Sequence, residues 1–272
     1  MVELAKSKFE DLVLSRLSAD GKCLDLDEKQ IGAEELKFLA ESEDEAMAGV
    51  EQLYLSHNHL ADGDLAVLAH LRGFPRLTSL YLNHNAIGDE GVRSLATSKL
   101  AGNLKRLMLE ANNVGPEGAR LIAESENLNR LEILYLDSNP LGAEGARALA
   151  ESPGLGALSD LHLDSTGMGD AGTRALAESP LLARVRRLYL CSNEIGDEGA
   201  IALAKSPHLG GLIVLSLWRN EIRDAGGRAL AESTTLGKLE RLYMSLNLID
   251  RPVRKIIRGS ELAKRLKTLV MD

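Results

Sequence analysis

The side chains able to do chemistry in this sequence fall into register with one another. Tyr54, Tyr81, Tyr135, Tyr189 and Tyr243 are separated by multiples of 27 residues, and Met108, His162 and Ser216 occupy the intervening places of that series. Two places later runs a second series containing Glu110, Asp137, Asp164, Cys191 and Trp218, and two places earlier a third containing Arg106, Asp160, Arg187 and Arg241. Phenol and indole rings bury much area with few rotatable bonds and keep a polar handle, which is the chemistry of interface anchors. Neighbouring carboxylates repel, so Glu110, Asp137 and Asp164 stay solvated, pair with arginine, or await a cation or a basic partner.

Catalytic and metal chemistry find less support. His57 and His84 occupy matching places, but no third ligand for zinc is evident, and a flat row of acids lacks the closed cage of oxygens that hard cations take. Cys191 has no visible base to lower its pKa. Walker, GxGxxG, GxSxG and HExxH motifs are all missing from the sequence. The reading assigns no catalytic residue, no metal and no cofactor.

The elements that must position these side chains follow from one repeat. The second leucine of an LxxLxL core recurs at Leu24, Leu53, Leu80, Leu107, Leu134, Leu161, Leu188, Leu215, Leu242 and Leu269, with 27 residues in every step after the first. In a short strand this spacing sends Leu134 and Leu136 to one side and Ile133, Tyr135 and Asp137 to the other. Asn58, Asn85, Asn112, Asn139, Asn193, Asn220 and Asn247 follow where the chain leaves the sheet, as amides that satisfy loop backbone. Asp89, Asp170, Asp197 and Asp224 read as helix N-caps. The glycine column from Gly91 to Gly226 reads as helices lying too close to neighbouring backbone for a Cβ. Repeat six departs, with Thr166 in place of asparagine, which suggests looser backbone there.

The unit LxxLxLxxNxI with GxxG and a small-residue helix, seen at Leu131, Leu134, Leu136, Asn139, Leu141, Gly142 and Gly145, resembles the leucine-rich repeats of the ribonuclease-inhibitor-like type. That class is also similar to the repeats of the Ran GTPase-activating protein and of many bacterial proteins. The resemblance covers about residues 20 to 272 and implies an α/β solenoid, a horseshoe with a parallel sheet on its concave face and helices on its convex face. A single domain is expected over 1–272: a helical cap over 1–20 built on Leu4, Phe9, Leu12, Val13 and Leu17, repeats over 21–249, and a closing cap over 250–272.

All 5 tyrosines and the sole tryptophan fall on the face that neither core nor helix uses, although only 3% of residues are aromatic. Binding of a partner accounts for this, and so does stacking of neighbouring rings in the ladder without any ligand.

Composition narrows the partner. The net charge is -8, with 14 acids against 6 bases over residues 1–60, so nucleic acid is not expected. No apolar run is long enough for a membrane helix or a signal peptide. Two cysteines without a pairing pattern fit a reducing compartment, and the reading is a bacterial cytoplasmic protein, with a secreted effector as the alternative.

The functional expectation is a monomeric, non-enzymatic module. It binds a protein or peptide with a basic patch through Tyr54, Tyr81, Arg106, Met108, Glu110, Tyr135, Asp137, His162, Asp164, Arg187, Tyr189, Trp218, Arg241 and Tyr243. Resemblance to the Ran GTPase-activating protein allows a regulatory role on a small GTPase, and a scaffold with no evolved ligand is the third reading.

Overall fold

A computed structural model describes residues 2–41 and 45–272, with side chains described over 8–40 and 47–272. Ten three-residue strands, β1 (Cys23–Asp25), β2 (Gln52–Tyr54), β3 (Ser79–Tyr81), β4 (Arg106–Met108), β5 (Ile133–Tyr135), β6 (Asp160–His162), β7 (Arg187–Tyr189), β8 (Val214–Ser216), β9 (Arg241–Tyr243) and β10 (Thr268–Val270), form one parallel sheet in sequence order. Each pair is in register, so Leu24, Leu53, Leu80 and their successors form one line.

The crossovers carry α2 (Ala33–Glu41), α3 (Asp62–Leu68), α4 (Asp89–Ala96), α5 (Pro116–Glu124), α6 (Gly142–Ala150), α7 (Gly169–Glu178), α8 (Asp197–Lys205), α9 (Asp224–Ala231), α10 (Arg251–Gly259) and α11 (Glu261–Arg265), following an opening helix α1 (Val2–Arg16). Their apolar side meets the leucines: Leu95, Ile122, Leu149, Leu176, Leu203 and Leu230 are buried. Helices need about 10 Å of width and strands about 4.8 Å, so such a stack bends with the sheet on its inner side.

At the N-terminal end Leu17 bridges antiparallel to Leu24, and Phe9 meets Phe38 edge-on with centroids 5.5 Å apart. Val13 is buried, Leu12 packs on the core, and Leu4 lies outside the described side chains. At the other end Arg254 and Arg258 donate to the carbonyls of Asp272 and Met271. Arg258 stays exposed while making this contact, and the neighbouring bases Arg251 and Lys255 are exposed as well.

Polar columns knit the repeats. Asn139 Oδ1 accepts the N–H of Val114 at 2.9 Å, while its amide donates to the carbonyls of Leu109, Leu136 and Asp137. Asn193 and Asn220 act alike, which satisfies loop groups that a buried leucine would orphan. A serine column does the same for helix ends, with Ser125, Ser152, Ser206 and Ser233 donating to Ala96, Ala123, Ala177 and Ala204.

The aspartates differ from the N-cap reading. Asp89 is the first residue of α4, whose cap position is Gly88, and its Oδ1 accepts the N–H groups of Gly115 and Gly118 in the next repeat at 2.7 and 2.9 Å. Asp170 serves Gly196 and Gly199, and Asp197 serves Arg223 and Gly226. Each carboxylate caps the helix that follows, where free N–H groups and the helix dipole favour negative charge.

The glycine column has the same cause. A Cβ at Gly118 would stand 2.5 Å from Asp89 Oδ1, and one at Gly199 would stand 2.7 Å from Asp170 Oδ1. The space is reserved chiefly for a neighbour's side chain, not for neighbouring backbone. Where no aspartate precedes, at Gly172, the nearest obstacle is the Met168 Cβ at 2.7 Å.

At repeat six the missing amide is replaced. Buried Thr166 donates Oγ1 to Leu163 O and Asn193 Oδ1, while Gly142 takes φ +61 and gives its N–H to Thr166 O. The loop is reshaped and remains hydrogen-bonded.

Candidate functional site

Strand register sets the free face of the sheet. Tyr54, Tyr81, Met108, Tyr135, His162, Tyr189, Ser216, Tyr243 and Val270 pair directly along the ladder, forming a single row. From Tyr54 to Ser216 the leucines on either side of each member are fully buried in the core, and Leu242 and Met244 flank Tyr243 in the same way.

Within the row the rings stack in two groups. Tyr54 lies on Tyr81 at 4.1 Å, and His162 is sandwiched between Tyr135 at 3.6 Å and Tyr189 at 4.1 Å. Four of the phenols thus spend a ring face on a neighbour, Tyr243 stands outside both stacks, and all five stay half-buried. The hydroxyl of Tyr54 donates to Gln52 Oε1 at 2.9 Å.

Two residues interrupt the stacking. Met108, between Tyr81 and Tyr135, is only 7% exposed, so it offers a partner little surface. Ser216, between Tyr189 and Tyr243, is too short to fill its place, and beside it lies a hollow of about 310 Å³. Asp164, Cys191, Trp218, Tyr243 and Val270 help to line it. Trp218 is the most exposed ring of the wall, at 39%.

The acidic column is built into the ladder. Asp137 Oδ1 accepts the N–H of Asp164, and Asp164 Oδ1 accepts that of Cys191, both at 2.6 Å. Asn83 holds the N–H of Glu110 in the same manner at 3.0 Å. These carboxylates therefore have a backbone role that spacing alone did not indicate, and Asp137 is only 9% exposed. Burial pushes the Asp137 carboxyl up to about 7 and raises that of Asp164. Burial also pulls His162 down to about 4, so its imidazole is uncharged at neutral pH and its 3.9 Å approach to Asp137 is not an ion pair.

On the other flank Arg187 is tied to the buried carboxylate of Asp160, which also accepts from Ser159 at 2.5 Å. Arg106 donates to Ser79 Oγ at 3.2 Å, and Arg241 is exposed. All fourteen residues singled out in the sequence thus lie on one face, with Met108 and Asp137 largely covered.

Other reactive groups are quiet. The Cys191 thiol sits 3.0 Å from Ser216 Oγ, and burial pushes it up to about 11, which leaves it protonated at neutral pH. His57 and His84 stack on each other at 4.3 Å. Among the described residues no group of three or more His, Cys, Asp or Glu is placed to hold a metal ion, and no helix is long and apolar enough to cross a membrane.

A feature missed in the sequence sits at the rim. His57, His84, Ala111, Ser138, Ser165, Ser192, Arg219 and Leu246 all adopt φ between 53 and 58°. This conformation costs a non-glycine residue about 1–2 kcal/mol, and the following asparagine (threonine after Ser165) occupies the loop it shapes.

Sequence comparison agrees with this geometry. The family model described as Leucine Rich repeat matches residues 76–96, 128–150 and 185–204. The fold is a leucine-rich-repeat solenoid. The matched segments span β3, β5 and β7 with helices α4 and α6 and most of α8, one strand-and-helix unit each. No curated protein matches the chain. Leucine-rich repeats generally serve as protein-interaction modules.

Proposed function

We propose that this solenoid binds a protein or peptide partner on the inner face of its sheet and acts by contact, without catalysis. The observation that carries the reading is the unbroken registry of the row, which gathers all five tyrosines beside Trp218 on the one face that the core does not use. Rings held by neighbours are preorganised, so little side-chain entropy is lost on binding. The two readings weighed from the sequence are compatible, because the stacked rings stay half-buried and leave surface for a partner. The acidic column favours a partner whose facing surface is basic.

The test is affinity capture with mass spectrometry from the source cell, using the intact chain and two double variants. Trp218→Ala with Tyr243→Ala alters rings outside both stacks. Arg147→Ala with Arg174→Ala alters the helix side as a control. A captured protein retained by the control and lost by the ring variant supports the reading; retention by both defeats it. Tyr135→Ala with Tyr189→Ala is less suitable, because it unpacks His162 from both sides and lowers stability as well.

A further inference from the structure

The hollow beside Ser216 is distinct from the rest of the row in shape and in charge. Its walls are chiefly apolar, made by Trp218, Tyr243 and Val270, and among the described residues its only charged lining residue is Asp164. No base lines it, and the nearest arginine of the preceding strand, Arg187, is already engaged by Asp160. The Asp164 carboxylate accepts the Cys191 N–H at 2.6 Å and also meets the Cys191 thiol, and no arginine or lysine lining the hollow neutralises it.

A depression with aromatic walls and a carboxylate at one end matches one kind of side chain. An aliphatic stem lies along rings while a cationic head reaches a carboxylate, and the ring face itself attracts the cation. Resting on the binding reading above, we propose that the Ser216 hollow is the anchor point for a lysine or arginine side chain of a basic peptide segment in the partner. Two further features favour this occupant. Burial, and to a lesser extent Glu110, raises the Asp164 carboxyl, so a cation relieves an existing electrostatic penalty. The chain as a whole is acidic, at -8, which steers basic segments toward it.

A larger depression of about 570 Å³ on the helix side, between α6 and α7, carries no such assignment. Arg147, Glu151, Arg174 and Glu178 line it with both signs of charge, as the repeated RALAES helices dictate.

Trp218 is the only tryptophan, so its fluorescence reports on this hollow alone. The experiment titrates the full chain with a hexa-arginine peptide and with its uncharged hexa-citrulline counterpart, at low and moderate salt. Saturable change with hexa-arginine, about tenfold weaker or more with hexa-citrulline, is expected. Asp164→Asn keeps an oxygen for the Cys191 N–H and removes the charge; Ser216→Tyr continues the row and fills the space. Both are expected to weaken hexa-arginine by about tenfold or more, while Glu178→Gln, which removes one charge from the helix side, leaves it unchanged.

No saturable response, an equal response to hexa-citrulline, or equal weakening by Asp164→Asn and Glu178→Gln would overturn the proposal. Circular dichroism checks each variant, and Asp164→Asn decides alone should Ser216→Tyr fail to fold. If hexa-arginine fails while the ring variant still loses its captured partner, the cationic anchor falls and the binding reading stands. If hexa-arginine binds as expected while capture is indifferent to the ring variant, the hollow accepts a cationic side chain but the partner does not use it, and the anchor falls together with the docking wall.

Discussion

Met108 and Ser216 stand at the same place in two repeats, and both interrupt the aromatic row, yet they leave different surfaces. At Met108 a flexible thioether fills the space between Tyr81 and Tyr135 and is itself covered. At Ser216 the side chain ends too soon, and a hollow opens beside Trp218. Backbone, register and buried leucines are common to both places. The relief of this face is therefore set by side-chain volume at positions the core does not constrain, which is how a repeating scaffold acquires an individual surface.

The support beneath the second interruption is where the largest effect is expected. Asn193 is fully buried, accepts from Thr166 and Gly167, and donates to Leu163 and Cys191. Asn193→Ala leaves several of these groups unpaired, and urea denaturation should register a loss of roughly 3–5 kcal/mol. Met108→Ala should turn the filled interruption into an open one at about 2–3 kcal/mol, below the usual maximum because the site can admit water. A loss no larger than that of an exposed residue would erase the contrast with Ser216.

A third change acts through pH. The Asp137 carboxyl sits at about 7 against an ordinary 3.8, so the folded state holds the proton more tightly, and stability falls as pH rises from about 4 through 7. His162, lowered to about 4 from 6.5, works in the opposite direction, and its contribution is lost as pH falls from 6.5 to 4. Asp137→Asn keeps an acceptor for Asp164 and removes the first effect. It should gain of the order of 2 kcal/mol at pH 8 and leave stability that declines toward pH 4, as thermal melts across pH would show. The smallest effect belongs to Ser216→Ala, within about 1 kcal/mol, because the space beside it is already open.

Much of the scaffold was legible before any coordinates. Equal steps between leucines, alternation in Leu134 and Leu136, and asparagines at strand exits each state a local physical requirement, and the structure meets them. The readings that failed shared a cause. Asp89 was interpreted as the cap of its own helix and Gly118 as a close approach to neighbouring backbone, whereas each is explained by the other's side chain or N–H across 29 residues. The left-handed column escaped notice because Ser138 or Arg219, and not glycine, carries the positive φ.

On the free face, membership of the row was readable and depth was not. Residue type left Asp137 to be solvated, paired with arginine or held for a cation or basic partner, while its position beside His162 and the Asp164 N–H buries it. Ser216 stood in the series from the start. That its shortness opens a hollow depends on Trp218 and Tyr243 lying beside it, which spacing alone does not convey.

Docking on the inner face is tested most directly by photo-crosslinking in the source cell. A benzoylphenylalanine placed at position 243 or 218 should capture one partner, and the same probe at position 174 on the helix side should capture none. Adducts formed from position 174 with none from 218 and 243 would contradict the account.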